Sequence, residues 1–196
     1  MAQISENRYL SYEEALQNAQ LIFSQFRSLN WSDIAICAML GNMWRESTVN
    51  PGIWQNLTVD SSMGYGLVQW TPSTNYTDWA VANNYEIGNL YAQCNRIQYE
   101  FDNGLQYIPT DTYPLTADQF RYYEGNDLDY MTAAFLANYE RAGVSALEER
   151  IEYARKFYTD LNGTSPDNPV NPGSSKRNRN YNFILFNHRR RKQWTQ

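Results

Sequence analysis

The residues of this chain best suited to chemistry are carboxylates, and Glu46 stands out among them. It ends the run Ser32 to Glu46 (SDIAICAMLGNMWRE), the most apolar helical stretch in the sequence, with Met43 and Trp44 close by. Apolar surroundings penalise a charged carboxyl, and the unpaired carbonyls of a helix C-terminus add partial negative charge; both favour the protonated form. Such a group can serve as a general acid near neutral pH. The ordinary alternative for a single glutamate is a solvated helix end paired with Arg45. Other chemistries lack their parts. The one histidine, His188, falls in a basic tail, and the two cysteines, Cys37 and Cys94, lie on separate helices. Neither a metal site nor a Ser-His-Asp triad can be assembled from these, no glycine-rich phosphate loop is present, and no cofactor is called for.

The elements that must hold Glu46 follow from spacing. Ser11 and Glu14 form a capping box, and Ala15, Ala19, Ile22, Phe23 and Phe26 recur at helical intervals, which predicts an amphipathic helix over 11–27. The segment from Ser32 to Glu46 opens with an N-cap serine and is apolar nearly all round as far as Asn42, the pattern of a central helix. Asn50, Pro51 and Gly52 stop it. The stretch IWQNLTVDSSMGYGLVQWTP has glycines, β-branched residues and aromatics but no helical period, which predicts turns and a small β-hairpin. Helical stripes then return: Leu90, Cys94, Ile97 and Phe101; Leu128, Met131, Phe135 and Tyr139; and Leu147, Ile151, Ala154, Tyr158 and Leu161, with a second capping box at Thr116 and Gln119. The sum is one α+β domain, predominantly α-helical, over residues 1–163. A Pro/Ser/Asn linker over 164–175 and a basic tail over 176–196 follow.

Charge separates these parts. The chain carries a net charge of −5, but seven Lys and Arg and no acid fall within 173–196, so the body is strongly acidic. Binding to a phosphate backbone relies on clustered cations, so nucleic acid is not the expected partner. No run reaches the roughly 20 apolar residues of a membrane span, and residues 1–30 lack the basic then apolar order of a signal peptide. Sixteen Tyr and six Trp supply flat rings with polar tips, which suit sugars.

Three short motifs occur in order: Glu46-Ser47 ending the central helix, Gly66-Leu67-Val68-Gln69 in the predicted hairpin, and Ala137-Asn138-Tyr139-Glu140 ending a later helix. In this the chain resembles the goose-type lysozyme and lytic transglycosylase superfamily, whose pattern runs Glu-Ser, Gly-Leu-Met-Gln, Ala-Tyr-Asn. It is more similar still to the lysozyme domain of phage tail-tip (tail-knob) cell-wall hydrolases, through CAMLGNMWRESTVNPGIWQN, GYGLVQWTP and FLANYER, over roughly residues 10–162. The resemblance implies a lysozyme-like fold with the hairpin beside the active-site cleft. The implied substrate is peptidoglycan, with Glu46 protonating the glycosidic oxygen between N-acetylmuramic acid and N-acetylglucosamine.

The same resemblance implies a binding set of Ser47, Gln55, Asn56, Tyr65, Gln69, Trp70, Thr71 and Tyr139. Gly64 and Gly66 would admit close approach of the sugar, Gln69 would offer a donor and an acceptor, Trp54 or Trp70 would give a stacking wall, and the Tyr139 hydroxyl would contact substrate. Tyr139 also continues a core stripe, and tryptophans such as Trp54 and Trp70 more often belong to a core than to a ligand site. An inverting glycosidase takes a second carboxylate roughly 6.5–9.5 Å from the acid. Asp60, in the loop leading to the hairpin, is the candidate, although Val-Asp-Ser-Ser also reads as plain turn chemistry. A hydrolase needs that base and a transglycosylase does not. A non-catalytic wall-binding or structural virion component is the reading from another class, and Glu46, which such a protein would most readily lose, is intact. The implied location is the virion, at the tail tip. The basic tail is either an extension that orders only with a partner or a segment, Phe183 to Lys192, that docks on other phage tail proteins or on an anionic wall or membrane surface.

Overall fold

The structure, a computed structural model, describes residues 2–143 and 146–162. The linker and basic tail expected after residue 163 lie outside these residues. Among the described residues seven α-helices carry the fold: α1 Tyr12–Ser28, α2 Asp33–Ser47, α3 Thr74–Ala82, α4 Leu90–Asp102, α5 Ala117–Arg121, α6 Leu128–Phe135 and α7 Leu147–Asn162. Among the described residues no helix is long and apolar enough to cross a membrane.

The helix starts are those the sequence signals. Ser11 and Glu14 exchange both capping-box bonds ahead of α1, Ser32 accepts from Ala35 N ahead of α2, and Thr116 and Gln119 form the second box ahead of α5. α2 is the central helix. Every residue from Ile34 to Met43 is buried, and α1, α5, α6 and α7 all pack on it. Its close partner is α7, and Gly41 is what allows that approach. A Cβ on Gly41 would lie 2.3 Å from Arg150 O and 2.8 Å from Ala154 N, both backbone atoms that cannot step aside. Gly41→Ala is therefore expected to cost about 1–3 kcal/mol by overpacking. Thermal unfolding would show it as a drop of several degrees.

Two features depart from expectation. The small hairpin expected after α2 is not confirmed, since the segment forms no strands among the described residues. Among the described residues it makes only the isolated bridges Trp54 to Tyr65 and Tyr65 to Trp70, with a 3-10 turn at Gln55–Leu57. Asn56, Leu57, Gly66 and Gln69 all have positive φ, so the chain turns too often for two strands to run side by side. The buried side of α7 is also rotated from the predicted stripe. Arg150, Ala154 and Phe157 are its buried residues, whereas Leu147, Ile151, Tyr158 and Leu161 are only partly covered.

Candidate active site

α2 ends at Ser47, and Thr48 and Val49 follow with φ of 52° and 58°, left-handed values that turn the chain sharply. Ser47 fastens this corner. It is fully buried, and its hydroxyl shared between Met43 O (3.0 Å) and Leu67 O (2.8 Å) joins the end of α2 to the loop over 53–72. The binding role implied for Ser47 is thus replaced by a structural one, since no surface of it reaches solvent. The loop is held from below by Gln93 of α4, which accepts from Leu67 N and donates to Pro51 O and Ile87 O. Gly66, at φ 79°, lies directly on that amide; a Cβ there would come within 2.5 Å of Gln93 Oε1.

Between this loop and the ends of α2, α4 and α6 lies an open cleft of about 710 Å³, within the range of small-molecule sites. Glu46, Trp54, Gln55, Asn56, Gln69, Trp70, Thr71 and Tyr139 line it, so most of the expected set is brought together. Gln69 spends its amide nitrogen on Gly66 O at 3.0 Å and has no acceptor bond at its oxygen among the described residues, leaving the oxygen for a ligand. Tyr65 is not in the lining. It is buried between Trp54 and Tyr76, with ring centroids 4.6 and 6.3 Å away, and supports the wall from behind. Asp60 is not in the lining either; its Oδ1 accepts from Ser62 N (2.8 Å) and Ser62 Oγ (2.7 Å), and these bonds hold its carboxyl below the usual range. That is the turn chemistry its neighbours suggest.

Glu46 reaches the cleft, but not in the apolar enclosure expected of it. Its side chain is 19% exposed, and Arg150 Nη2 of α7 donates to its Oε1 at 2.6 Å. Arg150 is itself 2% exposed, and its Nη1 also reaches Asn42 Oδ1 at 3.2 Å and Asn42 O at 3.3 Å. Asn42 stands one turn before Glu46 on α2 and donates to Thr132 O of α6, so α2, α6 and α7 are tied together beneath the carboxyl.

Two further carboxyls share the cleft. Glu100 of α4 accepts from Trp70 Nε1 (3.0 Å), from Arg96 Nε (2.8 Å) and from the Tyr139 hydroxyl. Tyr139 is 1% exposed and its hydroxyl is committed to Glu100, so it braces the site rather than offering that hydroxyl to substrate. Glu140 closes a π-helical turn, Leu136–Glu140, that continues α6. This turn is fixed by Arg141 N donating to Leu136 O, and by Asn138, whose side chain bonds Tyr107, Thr110 and Tyr113. Glu140 Oε1 is withdrawn from solvent and has no hydrogen-bond partner among the described residues. Loss of solvation, and then the charge of Glu46, hold this carboxyl well above the usual range, while Arg150 and Arg141 pull the other way.

Sequence reasoning passed over Glu100, Glu140 and Arg150. Glu140 was legible as the last letter of the third motif. Arg150 was legible only as a charged residue four places before the small, buried Ala154.

A raised carboxyl makes stability depend on pH. Folded Glu140 keeps its proton to higher pH than unfolded Glu140. Its contribution is therefore complete below the unfolded carboxylate range, from about pH 4, and is lost as pH rises through the folded value, at up to about 1.4 kcal/mol per pH unit. Glu140→Gln is expected to remove this slope from a series of urea unfolding curves taken across that window.

The profile of the phage tail lysozyme family matches residues 17–161. The chain is also 41% identical over 160 residues to morphogenesis protein 1 of Bacillus phage B103. That alignment covers 81% of this chain and 43% of the relative, so the chain spans less than half the length of the relative it matches. On the extent of both matches, and with the motif residues Glu46, Gln69 and Tyr139 gathered on one cleft, this chain belongs to the phage tail lysozyme family.

Proposed function

We propose that the chain is a muramidase, cleaving β-1,4 bonds between N-acetylmuramic acid and N-acetylglucosamine in peptidoglycan, and that it works on the host wall as a tail component of a virion. The observation that carries this reading is Glu46, the glutamate of the family's first motif, projecting from the end of α2 into a cleft of sugar-binding size. Trp54 and the exposed Tyr9 supply ring surface on the lining, while Gln55, Asn56, Gln69 and Thr71 supply the amides and hydroxyl that recognise sugar hydroxyls and acetamides. Glu46 gives its proton to the glycosidic oxygen as the bond to the anomeric carbon breaks. Family membership and likeness to a phage morphogenesis protein support the tail location. Docking of other tail proteins through the basic tail belongs to the same proposal.

One observation favours a second reading. Asp60 is not in the lining of the cleft, and a lytic transglycosylase needs no such base. Mass spectrometry of a digest of purified peptidoglycan separates the two. Reducing ends are expected from the muramidase and 1,6-anhydro ends from the transglycosylase; release of neither would leave only wall binding.

A further inference from the structure

We propose that Glu140 is the second carboxyl of the reaction, taking the proton of the incoming nucleophile while Glu46 gives one to the leaving oxygen. This rests on the glycosidase reading above. It assigns the base to a residue at the end of α6 instead of to the loop that carries Asp60.

The placement is specific. Glu140 lines the same cleft as Glu46, and the π-helical turn that presents it is pinned on both sides, by Arg141 N to Leu136 O and by the four bonds of the Asn138 side chain. Wider turns of this kind recur where a helix must aim a functional side chain. The charged groups that bear on Glu140 come from every element around it, and each has work elsewhere. Glu46 of α2 meets Arg150 of α7, Arg150 is shared with Asn42, and Glu100 of α4 is satisfied by Arg96, Trp70 and Tyr139. Neighbouring Arg141 donates to Gln106 O and Asn138 O. Glu140 Oε1 is the carboxylate oxygen in this group left sealed and unpartnered among the described residues. Buried polar atoms are nearly always paired, so an exception at a cleft calls for a use.

The step balances as follows. The bond from the anomeric carbon to the leaving oxygen breaks, its electron pair stays on that oxygen, and the oxygen takes the proton of Glu46. An incoming hydroxyl, from water or from the sugar's own C6, bonds to the anomeric carbon and its proton goes to the Glu140 carboxylate. The turnover ends with the proton on Glu140 and none on Glu46, whose Oε1 still accepts from Arg150 Nη2. Return of that proton to Glu46 resets the pair for the next turnover.

The test begins with wild-type protein on purified peptidoglycan. If nothing is released, the glycosidase reading itself falls, before any variant is made. Given activity, Glu140→Gln keeps shape and should lower kcat by roughly 10²- to 10⁴-fold, the usual weight of a general base, while KM changes little. One limb of the pH–rate profile should be lost, and the unfolding temperature should stay at or above that of wild type. Glu140→Asp, which keeps a carboxyl, should recover part of the rate, and Asp60→Asn should leave it within a few-fold. Should the Gln variant fail to fold, Glu140→Ala assayed with added formate replaces it, with restored turnover expected. The proposal is overturned by a Gln variant with near wild-type kcat and an unchanged pH profile, by formate failing to restore the Ala variant, or by the loss following Asp60→Asn instead.

Discussion

Replacing Glu46 with Gln is expected to reduce release of soluble glycan from purified peptidoglycan by about 10³-fold or more, the upper part of the range for a general acid, with the fold retained. The amide matches the carboxyl in size and still offers Arg150 Nη2 an acceptor, so the bridge from α7 to the end of α2 loses charge but not its hydrogen bond. What disappears is the transferable proton. Circular dichroism and thermal unfolding should report a native domain, and the digest should report almost no new ends. The variant also has a secondary signature. The charge of Glu46 is one of the causes that raise the Glu140 carboxyl, so its removal should move the loss of stability attributable to Glu140 toward lower pH. A Gln variant that still releases fragments at a tenth of the wild-type rate or better would remove Glu46 from the acid's role.

The helices were legible because their signals are local. Ser11, Ser32 and Thr116 sit where their hydroxyls cap backbone N–H groups, and stripes such as Leu90, Cys94, Ile97 and Phe101 need only the helical period to be recognised. The irregular path of the loop after α2 was not legible, for a reason that is equally local in origin but not in outcome. Glycines and aromatics in that stretch fit a hairpin and an irregular loop alike, and the choice was made at long range, by Ser47 and Gln93 gripping the backbone of Leu67. The site divides the same way. Glu46, Gln69 and the residues around them were read from ordered motifs. The electrostatic setting of Glu46 was not, because it comes from Arg150, 104 residues away in sequence and on a different helix. Composition around Glu46 suggested an apolar pocket, yet Trp44 turns the other way to stack on Tyr153 at 4.0 Å, and the carboxyl meets a guanidinium instead. The carboxyl that loss of solvation does raise is one residue beyond Tyr139, Glu140.

Arg150→Met is the variant expected to damage stability most, and its pairing with Glu46→Gln tests why. Removing one member of a buried ion pair costs about 3–5 kcal/mol, because the other charge is left without an answer. Glu46 is 19% exposed and recovers some hydration, so a cost of about 2–4 kcal/mol is expected, a fall in Tm of roughly 5–15 °C for a domain of this size. Asn42 loses a donor to its side-chain oxygen at the same time, which loosens the tie between α2 and α7. The double variant carries no unpaired carboxylate at position 46 and should recover a large part of the lost stability, giving a coupling energy well above the scatter of independent sites. It should recover no activity, since the acid is gone. Two single variants that simply add would mean that Arg150 supports the fold through contacts other than the one to Glu46, its bonds to Asn42 among them. The short contact to Glu46 would then be a consequence of the helix arrangement and not one of the interactions that set it.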